Sequence, residues 1–112
     1  MNFPQEQINE LKDLFPNIQA CDEGGVTFFL IPELDLPESC TPIKVDALLC
    51  ATPRDGYESR LFFSQIVQTP KQLNWNANGV RILERNWHAF SWKTPPSLRL
   101  SQMVAIHWKG LM

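Results

Sequence analysis

Between Arg85 and Pro96 the chain reads RNWHAFSWKTPP, and within it His88 and Ser91 stand three residues apart among tryptophan and phenylalanine side chains. That spacing brings an imidazole and a hydroxyl together on a helical turn or an irregular loop, and sends them to opposite faces of an extended strand. Nucleophilic use of Ser91 therefore requires a backbone that is not extended there. The competing expectation is structural: Trp87, Phe90 and Trp92 act as core or anchor aromatics, and Ser91 hydrogen-bonds the backbone near a turn.

The remaining groups with reactive chemistry are sparse. Cys21, Cys40 and Cys50 are an odd number with no CxxC spacing, and neither His88 nor His107 completes a zinc pattern, so neither a disulfide framework nor a metal site is expected. Each cysteine reads as a small buried hydrophobe. Cys50, at the end of an apolar run before Thr52-Pro53, is the one thiol kept as a nucleophile candidate. His107 falls in the apolar stripe of a terminal helix and reads as a satisfied core or boundary histidine. Arg54 and Arg60 flank the Asp55-Gly56-Tyr57 turn as solvated charges without an assigned role.

Composition narrows the class further. The 112 residues fit one domain, 1–112, with one ordinary core, and 44% hydrophobic, 11% aromatic and 20% charged residues are globular proportions. The net charge is −2 and the ten basic residues are scattered singly, which leaves no basic stripe for a row of phosphates; no nucleic-acid partner is expected. No apolar run approaches the ~20 residues needed to cross a bilayer, and Met1–Pro16 has neither a basic leader nor a small-residue cleavage site. The expected location is the cytoplasm, with no membrane partner.

The elements that must position these groups follow from periodicity and breakers. Pro4 suits a first helical turn, and Ile8, Leu11, Leu14 and Phe15 recur at helical spacing, predicting a helix over about 4–15. Ile18–Cys21 and Val26–Ile31 flank Asp22-Glu23-Gly24-Gly25 as a hairpin. Pro32–Pro42 is expected to be a crossing loop, Val45–Cys50 a covered strand, Thr52–Tyr57 a turn and Leu61–Val67 the partner strand, together a meander. Lys71–Gly79 reads as an Asn-rich loop and Val80–Leu83 as either a short edge strand or a return segment. Ser97 is a candidate N-cap for a last helix carrying Leu100, Met103, Val104, His107, Trp108 and Leu111. The fold class is α+β: an N-terminal helix, an antiparallel β-meander and a C-terminal helix, both helices covering one sheet face.

Leu48-Leu49, Thr52-Pro53, Asp55-Gly56-Tyr57, Leu61-Phe62-Phe63 and the segment Arg85–Trp92, followed by an apolar terminal helix, resemble the ubiquitin-conjugating-enzyme-like superfamily, specifically its bacterial prokaryotic family E, over roughly Leu34 to Met112. The resemblance implies a truncated form of that fold and transfer of a ubiquitin-like protein received from an adenylating activating enzyme, in a bacterial operon often linked to anti-phage defence. No cofactor is implied. The His-Pro-Asn tripeptide that precedes the thioester cysteine in eukaryotic relatives is absent, and no cysteine follows Cys50. Two expectations result. In one, Ser91 carries the modifier as an oxyester, with His88 as base and Asn86 as oxyanion donor or loop-fixer; a serine hydroxyl needs such help to become a nucleophile. In the other, the domain is a silent scaffold that binds the modifier or its activating enzyme. A third, unrelated to this chemistry, is an adaptor presenting its tryptophans to a protein partner. The acceptor and the oligomeric state are not legible.

Overall fold

The structure, a computed structural model, describes residues 3–112; Met1 and Asn2, the first residues of the expected domain, lie outside the described residues. Helix α1 spans Gln5–Leu14, where Pro4 presents its carbonyl to the amides of Gln7 and Ile8 at 3.0 and 3.2 Å, and Leu11 is wholly buried. Six strands follow: β1 Gln19–Glu23, β2 Val26–Asp35, β3 Lys44–Cys50, β4 Arg60–Phe63, β5 Ala77–Ile82 and β6 Arg85–Ala89; helix α2, Leu100–Lys109, comes last. This is the α+β arrangement expected from the sequence.

The sheet is antiparallel, in the order β1-β2-β3-β4-β6-β5. It is a meander through β4, after which the chain crosses out to the far edge as β5 and returns as β6 to pair with β4. The β1–β2 hairpin turns on Gly24 and Gly25, both at positive φ (60° and 77°), the conformation that a residue with a Cβ adopts only under strain.

Several segments depart from the sequence expectation, among them Ala77–Gly79, which opens β5 instead of closing the Asn-rich loop. Strand β2 runs on through Pro32 to Asp35 instead of ending in a loop, because the register slips between Ile31 and Leu34 and places Pro32 and Glu33 in a bulge. A bulge is where a strand tolerates a residue with no amide hydrogen. At the other end, β4 stops at Phe63 instead of reaching Val67. Helix α2 also starts later than Ser97, which sits at φ 64°; Arg99 is the N-cap residue, its amide donating to Gln102 Oε1 at 2.8 Å. The Leu100 amide, one of the orphan donors of that first turn, is taken by Gln7 Oε1 of α1 at 3.2 Å, so one helix caps the other.

Both sheet faces are covered. Phe29, Ile31, Ala47, Leu49, Leu61, Phe63 and Phe90 face α1 and α2, meeting Leu11, Leu100 and Val104. Phe28, Leu48, Cys50, Phe62, Ile82 and Trp87 fill the opposite face, where the sheet curls on itself. The curl is pinned across its ends: the Leu83 amide donates to Glu23 Oε1 at 3.0 Å, and Arg85 pairs with Asp46 at 2.9 Å. Among the described residues, no helix is long and apolar enough to cross a membrane.

Candidate functional site

Ser91 follows the last residues of β6, outside the strand, and is half-buried. The β6 ladder ends at Ala89, two residues before Ser91. Its amide donates to the Asn74 carbonyl at 2.7 Å, which ties the segment to the Asn-rich loop. Its Oγ lies 2.6 Å from Tyr57 Oη.

Tyr57 reaches this point from the turn between β3 and β4. Arg54 and Tyr57 exchange two backbone hydrogen bonds, each 2.9 Å, across a turn in which Asp55 and Gly56 hold φ of 53° and 86°. Asn76 Nδ2 donates to Tyr57 Oη at 2.9 Å, and Asn76 Oδ1 accepts from Arg60 Nη2 at 2.6 Å. The Arg60 guanidinium, 3% exposed, lies 4.4 Å from the Tyr57 ring centroid and also donates to the Phe90 carbonyl at 3.2 Å. The hydrogen bond from Ser91 lowers the Tyr57 pKa below its usual value, against the opposing effect of desolvation; Asn76 and the charges of Arg60 and Lys93 add to the lowering. Burial lowers the Arg60 pKa, partly offset by Tyr57 and Asp55.

His88 takes a different partner. It sits on β6 opposite Phe63, and its Nδ1 accepts the Gly79 amide at 3.2 Å. No hydrogen bond joins His88 to Ser91; the group that meets the serine hydroxyl is the phenol of Tyr57. Asn86 is exposed, faces Arg81 across the β5–β6 ladder and accepts from Arg81 Nη1 at 3.4 Å, so it is not among the partners of Ser91 either. Sequence reading missed Tyr57 and Asn76, and it left Arg60 as a solvated charge, whereas that side chain is buried between Tyr57, Asn76 and the Phe90 carbonyl. The one available signal was that the chain's single tyrosine stands in a turn next to a charged strand start.

Cys21 is only partly buried, against the expectation for it, whereas the other reactive groups are enclosed. Cys50 is 1% exposed, with its thiol 3.5 Å from the Thr52 carbonyl, and Cys40 is buried with its thiol on the Leu111 carbonyl. Burial raises the Cys40 pKa. His107, 2% exposed, places Nε2 3.1 Å from Ser59 Oγ, and burial pushes its imidazole down to about 4. Ser59 is itself 1% exposed, so this second serine–histidine pair is sealed from any substrate. Of the tryptophans, Trp87 is fully buried and donates to the Ile82 carbonyl at 3.0 Å. Trp75 and Trp92 close edge-to-face on Phe90, at 5.3 and 5.9 Å between centroids.

Away from Ser91, an open groove of about 570 Å³ runs between the end of α1, the β2 bulge and α2. Its walls include Leu14, Phe15, Ile18, Leu34, Val104 and Trp108. Among the described residues no cluster of three or more metal-ligating side chains occurs. Neither the family models, nor the curated proteins, nor the solved structures provide a match to this chain.

Proposed function

We propose that the chain is a carrier of an acyl group, of the ubiquitin-conjugating-like kind its sequence resembles, and that Ser91 holds a ubiquitin-like protein as an oxyester. The observation that supports this most is the 2.6 Å contact between Ser91 Oγ and a tyrosine whose pKa is lowered. In the loading step the Ser91 hydroxyl proton passes to the Tyr57 phenolate while Oγ bonds the C-terminal carbonyl carbon of the modifier. The bond from that carbon to its activating group breaks, and the activating group leaves with the electron pair. The Arg60 guanidinium stacked on the Tyr57 ring favours the phenolate that accepts the proton. The adenylating enzyme that supplies the activated modifier is the expected partner, in a bacterial conjugation pathway of the cytoplasm.

The test is loading by purified components: ATP, an adenylating enzyme and a ubiquitin-like protein encoded beside this chain. The proposal predicts an adduct that survives reducing agent, is cleaved by hydroxylamine and is absent from Ser91→Ala. Tyr57→Phe should load about 10²–10⁴-fold more slowly, the usual contribution of a positioned base. An adduct formed equally well by Ser91→Ala refutes it.

One observation favours the scaffold reading. The groove beside α2 is apolar and open, as a protein-docking surface is, and it lies apart from Ser91. Under that reading the chain binds the modifier or its activating enzyme through the groove, and no adduct forms.

A further inference from the structure

The turn that carries Tyr57 also holds two arginines around one carboxylate. Asp55 Oδ2 stands 3.7 Å from Arg54 Nε and 3.9 Å from Arg60 Nη1, which are ion-pair distances but too long for hydrogen bonds. Arg54 Nε is buried and has no hydrogen-bond partner. A buried donor of this kind costs free energy unless a partner takes it, and native structures rarely leave one unmatched. The two guanidinium groups share the Phe62 ring, at 5.6 and 5.8 Å from its centroid, and the charge of Arg54 disfavours that of Arg60. Asp55, 65% exposed by its side chain and at φ 53°, is the carboxylate that stands between them. Lys93 adds a further positive charge close enough to act on Tyr57. This cationic island belongs to a chain whose net charge is −2.

We propose that Arg54 and Arg60 form a binding site for a carboxylate of an acidic peptide segment, and that Asp55 is a loosely held internal occupant which the incoming carboxylate displaces. The occupant already present fixes the ligand chemistry: the two arginines hold a carboxylate, but at a distance that leaves Arg54 Nε without a hydrogen bond. With Asp55 withdrawn, an external carboxylate free of the turn's backbone constraint meets the Arg54 guanidinium on its solvent side, the side chain being 33% exposed. Arg60, clamped by Asn76 and the Phe90 carbonyl, supplies field and a fixed wall. The site is independent of acyl transfer, since it is read on the unloaded protein.

The experiment is an amide and arginine-side-chain NMR titration of the full chain at low salt with three probes: a terminally blocked hexaglutamate peptide, its hexaglutamine counterpart, and inorganic phosphate. The expected result is saturable shifting of the Arg54 Nε–H and Gly56 amide signals by hexaglutamate and none by hexaglutamine. Arg54→Gln should weaken hexaglutamate by about tenfold, the loss of one charge-assisted pair. Asp55→Asn should tighten it, because the internal competitor is gone. Should Arg54→Gln fail to fold, Asp55→Asn and the hexaglutamine control still decide. Equal binding of hexaglutamine, unchanged or weaker binding by Asp55→Asn, or shifting by phosphate alone would each overturn the proposal.

Discussion

Lowering the pH from 7.5 to 4 should unseat helix α2 through one residue, His107. Its ring is buried against Ser59, whose hydroxyl also lies 3.3 Å from Thr94 Oγ1, and no carboxylate neighbours it to stabilise a positive charge. Burial is the main cause that pushes the imidazole from 6.5 to about 4; the Ser59 hydrogen bond opposes this and the Arg60 charge adds to it. The unfolded chain therefore binds a proton that the folded chain refuses between those two values, and stability falls as the pH falls through that window. At about 1.4 kcal/mol per pH unit, the span from 6.5 to about 4 amounts to roughly 3 kcal/mol, a large share of a small domain's stability. Above pH 6.5 the contribution is complete, and below about 4 no further loss comes from this residue. The assay is urea unfolding at half-unit pH steps for the protein and for His107→Gln, which keeps a polar group but cannot take up the proton. Carboxylates whose pKa values are lowered, Asp46 and Glu10, destabilise both proteins alike on acidification, so the difference between the two curves isolates His107. A difference that stays constant from pH 7.5 to 4 would refute the reasoning.

Other expectations follow from single contacts. Trp87→Ala should cost about 3–5 kcal/mol by urea unfolding, since it empties the curl of the sheet and leaves the Ile82 carbonyl without its donor. Gly110→Ala should cost about 1–3 kcal/mol although its backbone is ordinary helix, because a Cβ there would stand 3.0 Å from Trp92 and 3.1 Å from Phe90. Under native conditions a thiol reagent such as iodoacetamide should modify Cys21 first, with Cys40 and Cys50 reacting only as the chain unfolds; rapid reaction at Cys50 would show that its enclosure is wrong. The rate of Ser91 loading should rise with pH toward a midpoint below the usual tyrosine value of about 10 and lose that dependence in Tyr57→Phe, because the phenolate is the acceptor of the proton.

The local elements were legible where one residue type forces one geometry. The apolar spacing of Ile8 and Leu11 drew α1, the paired glycines drew the first hairpin, and Asp55-Gly56 drew the turn that holds Tyr57. Pro32 misled because a proline ends a ladder only where its amide is needed, and a bulge removes that need. Helix α2 began two residues beyond its proline-serine signal because the donors that needed capping were met by Gln102 and by Gln7 of another helix, a contact spanning most of the chain. The same limit hid the site. Position 91 was picked out by its aromatic surroundings, and its distance from His88 suggested the imidazole as base, whereas the hydroxyl partner lies 34 residues upstream. Contacts of that span depend on the β4–β6 pairing, and the swap of β5 and β6 in strand order leaves no mark in hydrophobic periodicity.

The most direct test of the acyl-carrier proposal is to trap the adduct formed with ATP, the activating enzyme and the ubiquitin-like protein, digest it, and map the modified residue by tandem mass spectrometry. The account predicts the modifier's C-terminus on the oxygen of Ser91; its attachment to Cys21, Cys50 or a lysine, with Ser91 unmodified, would contradict it.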